Sequence, residues 1–463
     1  MRTEIDQLKT SPATINETIE KLHESLREYI EAAYHVSDPD MVKQRRELLD
    51  EPGVISQLPY LESTPRYIGG RKFTAIVGLD PAVSGLFTEL AKSSGENKQV
   101  LYDPPYQHQA QSIEQILVKG KSLIVMTGTG SGKTESFLLP IVGKLVEEAA
   151  HNPQSFQTTA VRAMILYPMN ALVNDQLGRL RLLFGDPRLS GQFKSWTGRP
   201  ARFARYTSRT LYPGVRTAKR DGERLAPIGK YYVKHLEAEK DATSPDREKS
   251  ETLIKELRKR GKWPAKPNLL KWYGKSGTRW IDTKTGQFKR CVTLSEDQEL
   301  LTRDEVQTAP PDVLVTNYSM LEYMLMRPLE RPVFDCTRDW LKENPSETFL
   351  LVLDEAHLYR GAAGSEVALL IRRLRQRLDI PPDRLQIICT TASFSNYKYA
   401  PTFASQLTGK SPADFEPIAG ELAPVSYTHL GHFRFIKKST HLCVATCFCG
   451  TFTQTVSARR RGR

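Results

Sequence analysis

The feature that most constrains the fold of this chain is a glycine-rich segment. It lies between an apolar run and a segment of helical composition. Residues 127–134 read Thr-Gly-Thr-Gly-Ser-Gly-Lys-Thr, and they follow the apolar residues 122–126. A buried strand, a glycine turn and a helix N-terminus together make a cradle of backbone N–H groups for phosphate. The alternative is a Gly/Ser-rich loop without a ligand. The sequence favours a nucleoside triphosphate site.

In such a cradle each residue type has a separate task. Lys133 reaches the outer phosphates, and the Thr134 hydroxyl lies on Mg²⁺. We therefore predict ATP and Mg²⁺ as cofactors. The predicted nucleotide contacts are Thr127, Gly128, Thr129, Gly130, Ser131, Gly132, Lys133 and Thr134.

Length and composition exclude several classes of protein. The chain has 463 residues, enough for two or three domains with a large core. No run approaches 18 apolar residues, and the N-terminus lacks the apolar core of a signal peptide, so no membrane partner is expected. Six scattered cysteines indicate neither a disulfide framework nor a structural zinc site, which favours a cytoplasmic location.

The positive charge is concentrated in one part of the chain. The whole chain carries +13, but residues 194–290 hold 26 Lys and Arg against 10 Asp and Glu, a net of +16. A basic segment on a near-neutral body is typical of a surface that binds a polyanion. The alternative is a solvated, partly disordered insert.

The fold class follows from apolar runs that alternate with amphipathic segments. We predict strands at 123–126, 163–167, 313–316, 349–353 and 385–390, each apolar enough to be buried on both faces of a parallel sheet. Helices are predicted at 134–149, 170–184, 318–326, 365–378 and 402–408. This order predicts a RecA-like, doubly wound α/β sheet of the P-loop NTPase kind. Helical periodicity also predicts helices at 12–34 and 41–49.

Aromatic residues are interleaved with the basic ones in the insert, at Trp263, Trp272, Tyr273 and Trp280. Such a mixture suits stacking on unpaired bases with phosphate contacts. It suits the small core of an insert equally well, and the sequence does not decide between the two.

A pair of acids ends one predicted strand. Asp354-Glu355-Ala356-His357 follows the apolar run 349–353. A carboxylate at the carboxyl end of a buried strand can hold Mg²⁺, which suits Asp354. Glu355 can polarise the attacking water as a general base, so the predicted catalytic residues are Lys133, Asp354 and Glu355.

Further motifs occur in an order that identifies a family. They are Tyr106-Gln107-His108-Gln109-Ala110, Tyr167-Pro168-Met169-Asn170, Asp312-Val313-Leu314-Val315-Thr316-Asn317 and Thr390-Thr391-Ala392-Ser393. With the phosphate loop, where Thr127 replaces the usual glycine, and the acid pair, they resemble the first motor lobe of superfamily 2 DEAD/DEAH-box helicases. The nearest branch is the bacterial YprA/MrfA type of DNA helicase, which residues 358–367 and an arginine-rich helix at 372–377 favour.

The resemblance implies roles for the remaining motif residues. Gln109 would pair with the adenine edge, as a primary amide can, although a polar helix start is the alternative. Pro168, Asn170, Thr316 and Asn317 would hold the nucleic-acid backbone, DNA more readily than RNA. His357, Thr391 and Ser393 would couple hydrolysis to movement between lobes.

The domain plan predicted from these features has five parts. Residues 1–100 form a helical accessory region, 101–193 and 301–400 the two parts of the ATPase lobe, 194–300 the basic insert and 401–463 an irregular tail. The second motor lobe of the family, with its arginine finger, is expected to be missing. The last 42 residues hold no acid, and His441, Cys443, Cys447 and Cys449 fit no common zinc spacing, so we interpret the end as truncated or out of frame.

The function predicted is the ATP-binding motor lobe of an ATP-dependent DNA helicase or translocase, which would hydrolyse ATP poorly alone. One alternative is a P-loop ATPase that remodels proteins. The other is a non-catalytic nucleic-acid-binding module with a vestigial ATP site.

Overall fold

The computed structural model describes residues 15–57, 66–93, 98–128, 130–211, 215–275, 277–392 and 397–423. The chain divides into two units, Met1–Pro65 and Arg66–Arg463. Thr129, Ser393 and the cysteine-containing tail lie outside the described residues. The predictions made for them therefore stay predictions.

The first unit contains a pair of helices, α1 (Ile15–Ala33) and α2 (Pro39–Asp50). Both agree with the helices predicted at 12–34 and 41–49. Salt bridges join them: Arg46 Nε donates to Glu31 Oε1 at 2.8 Å, and Arg27 Nη1 donates to Asp50 Oδ1 at 2.8 Å. The Asp38 side chain caps the start of α2.

One sheet of eight parallel strands organises the second unit. In chain order the strands are β1 (Ser122–Met126), β2 (Ala163–Tyr167), β3 (Phe203–Arg205), β4 (Glu299–Leu300), β5 (Val313–Asn317), β6 (Phe349–Leu353), β7 (Leu385–Thr391) and β8 (Phe415–Ala419). Their order in the sheet is β4-β3-β5-β2-β6-β7-β1-β8. Every pairing is parallel, so all carboxyl ends share one edge.

Alternate residues of the central strands enter two separate hydrophobic clusters, one on each face. Leu123 and Val125 belong to the first, whereas Ile124 belongs to the second. A strand sends successive side chains to opposite faces, so a strand covered on both sides must be apolar throughout. This confirms the predicted RecA-like, doubly wound sheet.

Helices cover both faces of the sheet. In chain order they are α3 (Pro81–Ala91), α4 (Gln107–Ile113), α5 (Glu135–His151), α6 (Pro153–Gln157), α7 (Asn170–Phe184), α8 (Pro187–Thr197), α9 (Ala218–Arg224), α10 (Ala226–Ile228), α11 (Lys234–Lys240), α12 (Arg247–Lys259), α13 (Leu269–Tyr273), α14 (Arg303–Thr308), α15 (Tyr318–Met326), α16 (Arg331–Glu343), α17 (Gly361–Leu378) and α18 (Ala400–Thr408). The first cluster includes residues of α3, α5, α7 and α8, and the second includes residues of α15 to α18. Among the described residues, none of the helices is both long and apolar enough to span a membrane.

The basic segment between β3 and β4 has a hydrophobic core of its own. Trp272 is 1% exposed and Trp263 is 5% exposed, and both pack with Leu225, Ile254 and Cys291. The interpretation that these two tryptophans stack on bases is therefore wrong, because their rings are already buried. The insert-core interpretation applies to them.

The part of this segment that follows α13 forms a basic hairpin. Ile281 pairs with Phe288 as an antiparallel bridge, and the Arg290 guanidinium lies 3.7 Å from the centroid of the Trp280 ring. Lys275, Arg279 and Lys284 are exposed on it. Residues 271–290 contain a single acid, Asp282.

Candidate nucleotide site and nucleic-acid face

The glycine-rich loop joins the carboxyl end of β1 to α5. Gly130 and Gly132 have φ of +76° and +72°, a region that residues with a side chain rarely adopt. A Cβ atom on Gly132 would lie 2.4 Å from Gln109 Nε2, so Gln109 would have to move to admit a side chain there. The loop conformation therefore depends on these two glycines.

Neighbouring side chains hold this loop in place. Gln109 Nε2 donates to the Gly132 carbonyl at 2.9 Å, and the Tyr106 N–H donates to Gln109 Oε1 at 2.9 Å. Both ends of the amide are thus bound to backbone groups. The contact between Gln109 and adenine stays a prediction. In the structure, the hydrogen bonds of Gln109 fix the loop.

Two residues with no predicted role of their own also contact the loop. His108 Nε2 donates to the Ser131 carbonyl at 3.0 Å, and burial lowers the pKa of His108, which favours the neutral ring. The Gly128 N–H donates to the Tyr67 hydroxyl at 3.1 Å. His108 is adjacent to Gln109 in the quoted motif, but nothing local marks Tyr67.

The acid pair and the loop lysine lie together at this edge of the sheet. Lys133 Nζ donates to Glu355 Oε1 at 2.7 Å, across 222 residues of sequence. Glu355 has a left-handed backbone with φ of +50°, a conformation that costs free energy for a residue other than glycine. The structure therefore brings two predicted catalytic groups into direct contact.

Asp354 is held more deeply than its neighbour. It is 5% exposed, and its Oδ1 accepts hydrogen bonds from the Glu355 N–H at 2.9 Å and from the Thr390 hydroxyl. Burial raises the pKa of this carboxyl, which is the expected cost of keeping a charge away from water. A cation beside it would offset that cost.

Oxygen groups suited to Mg²⁺ occur on both sides of the site. Thr134 is buried, and its hydroxyl accepts from Gln176 Nε2 on α7 at 3.3 Å, a contact with a residue that no motif marked. The buried hydroxyls of Tyr167 and Tyr359 have no hydrogen-bond partner among the described residues. Burial and nearby Asp354 raise the pKa of both phenols, so both stay neutral hydroxyls, whose oxygens can accept hydrogen bonds from metal-bound water. These groups fit a hydrated divalent cation.

The predicted coupling residues begin beside the acid pair. His357 Nδ1 lies 3.3 Å from Glu355 Oε2 and 3.3 Å from the Thr391 hydroxyl. Thr391 ends β7, so the ends of β6 and β7 are linked through this imidazole.

The residues predicted to hold nucleic acid lie at the ends of β2 and β5. Asn317 Nδ2 donates to Asn170 Oδ1 at 2.7 Å, and Pro168 lies two residues before Asn170, partly exposed. Thr316 is 0% exposed, and its hydroxyl donates to the Tyr206 carbonyl at 2.6 Å. The phosphate contact predicted for the Thr316 hydroxyl is corrected here, because that group is buried and already bonded.

Comparison with known families decides the classification. The DEAD/DEAH box helicase family matches residues 106–206 and 242–400, more than half of the chain. The chain belongs to this family. It contains the ATP-dependent motor domain of a superfamily 2 helicase, and the family predicted from the motifs is confirmed.

Relatives of this helicase chain are much longer than it is. Druantia protein DruE of Escherichia coli (strain UMEA 4076-1) is 45% identical over 415 residues, which are 87% of this chain and 22% of the relative. The uncharacterized ATP-dependent helicase MJ1574 of Methanocaldococcus jannaschii is 31% identical over 146 residues, 32% of this chain and 19% of the relative. The matched stretches are thus about a fifth of the length of these two relatives.

Solved helicase structures are more distant. A crystal structure of the DUF1998 helicase MrfA bound to DNA is 18% identical with a TM-score of 0.40, covering 83% of this chain and 35% of that chain. The DEAD-box helicase Mss116 bound to ssRNA and UDP-BeF is 13% identical with a TM-score of 0.38, covering 78% of this chain and 47% of that chain.

Proposed function

We propose that this chain is the ATP-binding motor lobe of an ATP-dependent DNA helicase or translocase. The observation that carries the proposal is the 2.7 Å contact between Lys133 and Glu355. A phosphate loop and a carboxylate that meet at the carboxyl edge of a parallel sheet form one cleft, where such sheets bind ligands. The preference for DNA rests on the resemblance of residues 358–367 to the YprA/MrfA-type branch.

Each group in the cleft has a chemical task in this proposal. Lys133 and the loop N–H groups of residues 128–134 bind the triphosphate oxygens. When Lys133 moves to the phosphates, Glu355 hydrogen-bonds to the attacking water and orients it. Glu355 accepts a proton from this water as the water oxygen bonds to the terminal phosphorus and the bond from that phosphorus to the bridging oxygen breaks. Thr134 and Asp354 would hold Mg²⁺, which neutralises phosphate charge when bound.

Nucleic acid would bind at the same edge of the sheet, at the carboxyl ends of β2 and β5. Asn170 and Asn317 are linked to each other, so a strand held by one would be sensed by the other. His357 then connects Glu355 to β7, whose following segment includes the predicted coupling residue Ser393. Completion of the ATP site by a second lobe belongs to the same proposal.

ATP binding and turnover test the function. We expect the chain to bind ATP and single-stranded DNA, and we expect DNA to stimulate turnover by the motor more than RNA does, as measured by phosphate release with each polymer in turn. Nucleotide binding without any response to nucleic acid would favour a protein-remodelling ATPase. Nucleic-acid binding without nucleotide binding would favour a vestigial site.

The hairpin of the insert is proposed as an extra contact with the nucleic-acid backbone. Its one acid, Asp282, is paired with Lys289 at 2.6 Å, so the exposed Lys275, Arg279 and Lys284 give the hairpin a net positive charge. Phosphate contacts by cations release counterions, so affinity then falls steeply with salt.

Charge reversal tests that contact. Replacing Lys275, Arg279 and Lys284 with glutamate is expected to flatten the slope of log affinity against log salt, by about 0.7–0.9 for each lost phosphate contact. The matched control reverses Lys249, Lys255 and Lys259 on α12, which are also exposed. If the slope of log affinity against log salt is the same for the two triple variants, the hairpin does not contact the nucleic-acid backbone.

A further inference from the structure

A groove lies between α17 and α18. Its volume is about 850 Å³. Its lining includes Tyr359 and Arg360, which come two and three residues after His357. The groove is lined by Tyr359, Arg360, Gly361, Gly364, Ser365, Ala368, Leu369, Arg372, Tyr399, Phe403, Gln406 and Leu407.

The lining has the charge of a polyanion site. It includes Arg360 and Arg372, both exposed, and it includes no aspartate or glutamate. Arg372 makes no hydrogen bond or ion pair within the part of the chain that the structure describes, whereas the next residue, Arg373, lies 3.8 Å from Glu322. An unpaired guanidinium in a groove without acids is suited to phosphate.

Exposed apolar and aromatic side chains complete the lining. Tyr399 is 48% exposed and Leu369 is 58% exposed, and Phe403 is partly buried beside them. Small-molecule sites bury most of their ligand, so a lining this open suits a segment of an extended polymer better. Aromatic rings beside cations are the combination that binds unpaired bases and their phosphates.

We propose that this groove binds a single-stranded nucleic acid, with phosphates on Arg360 and Arg372 and a base stacked on Tyr399. The inference rests on the proposed function, which requires a nucleic-acid track. It adds a segment of that track beyond the residues predicted to hold the nucleic-acid backbone, Pro168, Asn170, Thr316 and Asn317. A strand in the groove would lie beside the chain segment that leads back to His357 and Glu355.

Affinity for a fluorescein-labelled oligothymidylate tests the groove. Arg372→Glu is expected to weaken binding by tenfold or more, and Tyr399→Ala by about 5- to 150-fold, the range that loss of one stacked base gives. Arg373→Glu, one residue along the same helix but outside the lining, is the matched control and should weaken binding less than twofold. ATP affinity should be unchanged in all three variants, which also shows that they are folded.

The outcomes separate the two proposals. If the unaltered chain does not bind the oligonucleotide, the proposed function fails. If it binds and Arg372→Glu behaves like Arg373→Glu, the groove is not on the track, and a protein segment is the better occupant. Should Arg372→Glu not fold, Arg372→Gln with Tyr399→Ala gives the same comparison, and unchanged affinity in both would overturn the inference.

Discussion

Replacing Lys133 with alanine is expected to remove detectable ATP binding. The ammonium group would be lost from a site where it donates charge-assisted hydrogen bonds to phosphate, each worth roughly 1.5–3 kcal/mol, or about 10- to 150-fold in affinity. The loop would also lose the partner of Glu355, which lies 2.7 Å from Lys133 Nζ. A carboxylate left unpaired beside the triphosphate would repel it.

Titration with a fluorescent ATP analogue measures this effect. Lys121→Ala is the matched control, since Lys121 is exposed and immediately precedes β1, at the end opposite to the loop. Thermal unfolding of both variants separates lost binding from lost structure. Wild-type affinity in Lys133→Ala would refute the assignment of residues 127–134 to the phosphates.

The central strands could be predicted because burial on both faces leaves a continuous apolar run. The runs predicted at 163–167 and 349–353 agree with β2 and β6, and those of β1, β5 and β7 differ from the predictions by one residue at an end. β8 was missed, since Phe415-Glu416-Pro417-Ile418-Ala419 contains a proline and a charge, as an edge strand can. β4 has two residues, too few to give a pattern.

The site could be predicted where a motif ends a strand. Lys133 and Glu355 meet because both follow strands of one parallel sheet, so their contact needed only the fold. Tyr67 and Gln176 reach the loop through tertiary packing, which leaves no local mark in the sequence. Thr316 was misjudged for a related reason: a threonine at the end of a strand can face the edge or the core, and here it is 0% exposed.

Replacing Glu355 with glutamine is expected to separate ATP binding from turnover. The amide keeps the size of the side chain but cannot accept the proton of the attacking water, and loss of a positioned general base costs about 10²–10⁴-fold in rate. ATP affinity should rise slightly. In the unaltered protein Lys133 must leave Glu355 to bind phosphate, and a partly exposed pair of this kind is worth about 0.2–1 kcal/mol, a factor of about 1.4 to 5.

Single-turnover hydrolysis with DNA present, together with ATP titration, checks both parts. Glu366→Gln is the control, because Glu366 is an exposed acid on α17. A wild-type rate in Glu355→Gln would refute the role of this carboxylate as the base. If the rate falls as expected but ATP affinity does not change, Glu355 is still the general base. In that case the ion pair between Glu355 and Lys133 does not compete with the nucleotide, and the free cleft is already arranged for phosphate.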